Sequence, residues 1–112
     1  MKIAMPVFGE EVSAHFGHCE KFALVEVDPA GKTVIQTDWA TPPAHEPGIL
    51  PAWLHEQQVD LVMTGGMGER AQALFARQGI QVITGVAGGT VEQVIEQYLK
   101  GTLQAGDNLC DH

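Results

Sequence analysis

Positive charge is scarce in this sequence: six Lys and Arg stand against fourteen Asp and Glu, a formal charge of −8 with the histidines neutral. Lys2, Lys21, Lys32, Arg70, Arg77 and Lys100 are scattered, and no two are adjacent. Affinity for nucleic acid or an anionic membrane surface is built from clustered cations, so neither is an expected partner. Long apolar runs are missing as well. No window approaches the ~20 apolar residues of a membrane span. The apolar start up to Phe8 is interrupted by Pro6 and followed by Gly9-Glu10-Glu11. It lacks the cleavage site and the roughly 7–15 residue core of a secretory signal. Two cysteines, Cys19 and Cys110, are no disulfide framework, and there is no Cys-x-x-Cys. The absences together point to a soluble cytoplasmic chain.

What is present suits one compact unit. A chain of 112 residues, 45% of them hydrophobic, holds a single core and not two. Glycine is abundant at thirteen, and seven of these fall between Gly65 and Gly89. The division expected is a domain over 1–101 followed by a tail over 102–112.

Patterning predicts the element order. Lys2–Phe8 reads as a buried strand, Phe22–Val27 as a second and Lys32–Asp38 as a third, with Asp28-Pro-Ala-Gly31 as a tight turn between the last two. Trp39–Pro47, with three prolines, reads as a loop. Leu50, Trp53 and Leu54 at i, i+3, i+4 mark a first helix. The strand Asp60–Thr64 enters Gly65-Gly-Met-Gly68. A second helix carries Ala71, Leu74 and Phe75 and stops at Gly79. The strand Ile80–Thr84 enters Gly85-Val-Ala-Gly-Gly89. The last helix has Thr90 and Gln93 at capping-box spacing, an apolar face of Val91, Val94, Ile95, Tyr98 and Leu99, and Gly101 as its stop. The order β-β-β-α-β-α-β-α predicts an α/β fold in the style of ribonuclease H. Its five-stranded mixed sheet has helices on its faces, and the first strand lies beside the fourth.

That topology brings four loops to one edge: Gly9–Glu20, Trp39–Glu46, Gly65–Gly68 and Gly85–Gly89. Open α/β sheets bind ligands at this edge, beyond the carboxyl ends of their parallel strands. The candidate cofactor-binding residues there are Gly65, Gly66, Met67, Gly68, Gly85 and Gly88, where backbone N–H groups at helix starts meet the same space. Gly65-Gly-Met-Gly68 is neither the dinucleotide fingerprint nor a phosphate loop. Its bland reading is a tight strand-to-helix turn.

The side chains with chemistry at that edge are imidazoles and thiols. Ser13-Ala-His-Phe-Gly-His-Cys19 holds His15, His18 and Cys19, His45 lies in the Pro-rich loop, and the tail ends in Cys110 and His112. These are the candidate metal ligands: His15, Cys19, His45, Cys110 and His112. Such donors suit Zn, Cu, Fe or a metal–sulfur cluster and not Mg or Ca, which prefer oxygen. The plain alternatives are a surface role for His18 beside Glu20, a hydrogen-bonded His15, a core role for Cys19 and a solvated His55. The segments Val12–Cys19, Leu61–Gly68 and Gly79–Val91 contain no charged residue other than histidine. A nuclease with paired Mg ions needs several carboxylates. Lys2–Phe8 has none, and Asp60 lies at the wrong end of its strand. No group is visible to orient Cys19 with His15 or His18 as a nucleophile, so an enzyme is not expected.

Ser13-x-His-Phe-Gly-x-Cys19, Gly65-Gly-Met-Gly-x-Arg-Ala71, Gly79-Ile-x-Val82 with Gly85, and Tyr98-Leu-x-Gly-x-Leu103 leading to Asn108-x-Cys-x-His112 occur in order along the whole chain. This combination resembles the dinitrogenase iron–molybdenum cofactor biosynthesis family, as a small stand-alone member similar to the molybdenum–copper-binding orange proteins of anaerobes. The resemblance implies a ribonuclease H-like fold. It also implies a non-enzymatic binding or carrier role for a metal–sulfur cluster of Mo with Fe or Cu, passed to or from a donor or acceptor protein. Within it His15 is the histidine associated with the cluster. Two other readings stay open: zinc held by His15, Cys19, His45 and the tail, and a regulatory interaction domain partnered with a cluster-assembly ATPase.

Overall fold

The structure, a computed structural model, describes residues 1–16, 19–43, 48–86 and 89–103. Its strands are β1 (Lys2–Phe8), β2 (Glu11–Val12), β3 (Lys21–Asp28), β4 (Thr33–Ala40), β5 (Leu61–Met63) and β6 (Gln81–Ile83). Its helices are α1 (Ile49–Glu56), α2 (Glu69–Arg77) and α3 (Val91–Lys100). The sheet runs β4-β3-β1-β5-β6, with β2 added to β1. β1 pairs antiparallel with β3, and β3 with β4, whereas β1–β5 and β5–β6 are parallel. The expected neighbour of β1 across the helical crossover, β5, is the observed one.

The sheet has six strands, not five. The extra one, β2, pairs Val7 with Val12 and Phe8 with Glu11. Gly9, at φ 67°, turns the chain back to make that pairing. Val7 already faces Lys21 of β3 on its other side, so β2 takes the side of β1 where β5 has ended. Two residues are too few to show a period. β4 also runs on through Trp39 and Ala40, into the segment expected to be loop. Pairing of Ala23 with Trp39 and Phe22 with Ala40 extends it. The turn before β4 is as expected, closed by the Asp28 carboxylate accepting from the Ala30 N–H at 3.1 Å.

Side-chain alternation divides the core into two layers. Ile3, Met5 and Val7 of β1, with Val25 and Val27 of β3, meet Val91, Val94 and Ile95 of α3 on one face. Ala4, Phe22, Leu24 and Val62 meet Leu50 and Leu54 of α1 and Phe75 of α2 on the other. Phe22 and Phe75 are wholly buried, and each such side chain stabilises by roughly 1.5–3 kcal/mol relative to exposure.

α3 is fixed at both ends by its own sequence. The Gln93 N–H donates to Thr90 Oγ1 at 3.2 Å, and the Thr90 N–H donates to Gln93 Oε1 at 3.0 Å. Gly101, at φ 75°, ends it. Thr90→Ala removes one half of that exchange. It is expected to lower the unfolding free energy by about 1 kcal/mol, measured as a shift of the urea midpoint at unchanged slope.

Candidate functional site

The carboxyl ends of β1, β4, β5 and β6 share one edge, and backbone hydrogen bonds lash three of the loops leaving it together. The Gly65 N–H donates to the Ser13 carbonyl at 3.1 Å, and the Phe16 N–H to the Gly66 carbonyl at 2.9 Å. The Gly85 N–H donates to the Gly65 carbonyl at 2.8 Å, and the Val12 N–H to the Gly89 carbonyl at 3.0 Å. Residues 13–16 therefore run alongside Gly65 and Gly66, with Gly85 on the far side. Convergence of these loops is what the topology predicted.

Two buried hydroxyls stiffen the junction, and their role was not read from the sequence. Thr64, fully buried, points its Oγ1 at the carbonyls of Ser13 and Gly66, each at 3.4 Å. The buried Ser13 donates to the His15 carbonyl at 2.8 Å and accepts from the His15 N–H at 3.3 Å. That exchange fixes the backbone bend carrying His15. The available signal was a polar residue placed within an uncharged apolar run, just before a glycine pair.

The glycines divide by what their amides do. Those of Gly65 and Gly85 are used in the junction, whereas Gly66 and Gly68 donate to no group among the described residues. Gly68 is the N-cap of α2 and supplies no side-chain cap, so the first-turn N–H groups of that helix stay open. At the start of α3 the Gln93 N–H is instead taken up by the Thr90 hydroxyl. The helices that start at this edge without a side-chain cap are therefore α1 and α2. Met67 is buried in the layer with Phe16, Phe22 and Phe75. Gly88, His18, His45, Cys110 and His112 lie outside the described residues.

Of the candidate ligands, His15 is exposed and Cys19, four residues on, is half-buried. Burial pushes the Cys19 thiol above its ordinary value, because a thiolate loses hydration there. Cys19 also packs against the layer containing Phe16 and Phe22. The thiol is thus expected to react with iodoacetamide more slowly than a solvent-exposed cysteine thiol at the same pH. Mass-spectrometric alkylation rates across pH check this. A rate that matches or exceeds that of a solvent-exposed thiol contradicts it. No three His, Cys, Asp or Glu residues group as a metal site among the described residues.

The family model described as dinitrogenase iron-molybdenum cofactor matches residues 1–101. The chain belongs to the dinitrogenase iron-molybdenum cofactor family. An uncharacterized protein of Methanocaldococcus jannaschii, MJ0580, is 31% identical over 108 residues, 93% of this chain and 90% of that one. The crystal structure of PH0822 superposes with a TM-score of 0.89 at 30% identity, covering 100% of both chains. The apo form of the orange protein from Desulfovibrio gigas gives 0.74 at 23% identity, covering 96% of this chain and 93% of that one. At that identity the orange-protein likeness is one of fold. The family match spans β1 to the end of α3, so it contains the whole loop junction. No helix among the described residues is long and apolar enough to cross a membrane.

Proposed function

We propose that the chain is a non-enzymatic carrier for a preassembled molybdenum- or iron-containing metal–sulfur cluster, taken up at the loop junction and passed to a second protein. The observation that carries this reading is the placement of His15 beside the open start of α2. The Phe16–Gly66 hydrogen bond draws the His15 segment against Gly66, Met67 and Gly68. Among the described residues the edge offers one exposed imidazole, one half-buried thiol and backbone N–H donors. Two side-chain donors among the described residues fall short of the four ligands a bare zinc ion takes. They suffice for a cluster that brings its own sulfides, because amide N–H groups pair well with charged acceptors. The family description, which names the iron-molybdenum cofactor, supports the same cargo.

Charge fits transfer better than permanent storage. No Asp, Glu, Lys or Arg stands in Val12–Phe16 or Leu61–Gly68, while Glu10, Glu11 and Glu20 are exposed beside them. An anionic cluster is then held by ligands and amides against a −8 background, which favours release. The same reading takes the fold as ribonuclease H-type and the setting as reducing cytoplasm, where thiols stay free. The mixed sheet with β1 at its centre supports the first of these. Anaerobic reconstitution with tetrathiomolybdate and ferrous or cuprous salt tests the proposal. Stoichiometric molybdenum uptake that survives desalting and shows visible charge-transfer bands supports it. Uptake of zinc alone, or no uptake, overturns it.

A further inference from the structure

We propose that two copies of this chain meet through the face formed by β4 and α3, independently of the cluster site. β4 is an edge strand, and α3 covers β1, β3 and β5 without reaching over it. Val34, Thr37 and Trp39 stand opposite Val27, Val25 and Ala23, so they lie on the α3 side of the sheet. No β4 residue belongs to the core layer on that side. A groove of about 480 Å³ results, with Val34, Trp39, Ile95 and Leu99 among its walls. Trp39 remains 54% exposed and Val34 48%. The Lys21 ammonium sits 4.7 Å above the indole ring and helps hold it in place. An ordered, exposed tryptophan beside aliphatic residues has the chemistry of an interface anchor.

The charge on this face selects a second copy as the occupant. Lys21, Lys32 and Lys100, half of the molecule's six cations, surround the groove. The acids lining it among the described residues are Glu92 and Glu96, and Glu96 is paired with Lys100 at 2.6 Å. A chain of net −8 repels its own copies over most of its surface, and this face is close to neutral. Its two ends carry different groups, Lys32 with the Glu96-paired Lys100 at one and Lys21 with Glu92 at the other. β4 runs toward the ligand edge and α3 away from it, so Lys32 and Lys100 share one end while Trp39 and Glu92 share the other. A two-fold axis lying in the interface, across the groove, reverses one copy and brings each Lys32 to the Glu92 of the second copy. The same operation lays each Trp39 toward the other copy's Val34 and Leu99. Edge-to-edge joining of two β4 strands is disfavoured. The register shift at Glu26/Val27 leaves Ile35 as an extra residue in β4, a bulge of the kind that blunts an edge.

Sedimentation equilibrium of the full chain, from about 1 µM to about 1 mM, reads this directly. The expected mass rises with concentration from 12.0 kDa toward twice that value. Trp39→Ser, with circular dichroism verifying the fold, is expected to raise the dimer dissociation constant at least ~10-fold. Lys32→Asp uses a residue that tolerates the left-handed backbone there, at φ 54°. Alone it weakens the dimer, and Glu92→Lys added to it restores the association. A monomer across the whole range overturns the proposal. So does a dimer that Trp39→Ser and Lys32→Asp leave unchanged, since it then forms through another face.

Discussion

Phe16→Ala is expected to destabilise the protein by about 3–5 kcal/mol, the range for emptying a buried aromatic site. Phe16 belongs to a loop, yet it is only 6% exposed. Its ring lies 5.6 Å from Phe22 at 63° and 5.3 Å from Phe75 at 87°. Both are edge-to-face contacts, which add to the area buried. Phe22 continues the series to Trp53, at 5.6 Å and 64°. Alanine at position 16 leaves a void between rings from β3 and α2, elements that cannot close on it without moving the sheet. Single domains have only about 5–15 kcal/mol in total, so this one change removes a large part of the margin. It also frees the segment that the Phe16–Gly66 bond holds, and cluster uptake should fall with it. Phe8→Ala is the control, because Phe8 is 65% exposed at the end of β1. That change is expected within about 0.5 kcal/mol. Urea unfolding of both variants decides the matter. Equal midpoints for the two would sink the assignment of Phe16 as the anchor of the site.

The role of Phe16 also shows where legibility in the sequence stopped. β1, β3, β5, β6 and α3 were readable because each carries a period or an apolar run of its own, and Thr90 with Gln93 announced the start of α3. The meeting of the loops followed from strand directions alone. Phe16 and Met67 carry no such signal. They lie in turns, and their burial is decided by α1 and α2 folding over them. β2 escaped for a related reason, being two residues whose pairing depends on the turn at Gly9. The end of β4 was misjudged because Trp39 and Ala40 precede prolines, while pairing with Ala23 and Phe22 keeps them in the sheet. Which of the glycine amides are free depends on hydrogen bonds made across fifty residues of chain, as between Ser13 and Gly65. Composition could not distinguish the open start of α2 from the closed start of α3. The capping pair at Thr90 and Gln93 was legible; that α2 begins without a side-chain cap needed Gly68 seen as an N-cap.

His15→Ala and Gly68→Ala should separate the two means by which the cargo is held. His15 is exposed, so its loss is expected to leave stability within about 0.5 kcal/mol. If the cargo is held as proposed, loss of the His15 imidazole should weaken cluster binding by at least the ~10–100-fold typical of losing even a supporting residue. Gly68 tests the backbone instead. Its φ of −64° and ψ of 153° are ordinary for any residue. A methyl group added there meets no atom within 4 Å. The folded chain therefore tolerates alanine, although glycine is slightly the better N-cap. The methyl does occupy the approach to the first N–H groups of α2. Binding by Gly68→Ala should then fall several-fold at unchanged stability, with the absorption bands weakened but not shifted. His15→Ala should shift or abolish those bands, because it changes the atoms bound to the metal. Molybdenum stoichiometry and visible spectra after anaerobic reconstitution distinguish the two signatures. Wild-type uptake by both variants would place the cargo elsewhere on the molecule. Loss in His15→Ala with none in Gly68→Ala would keep the imidazole and discard the helix start.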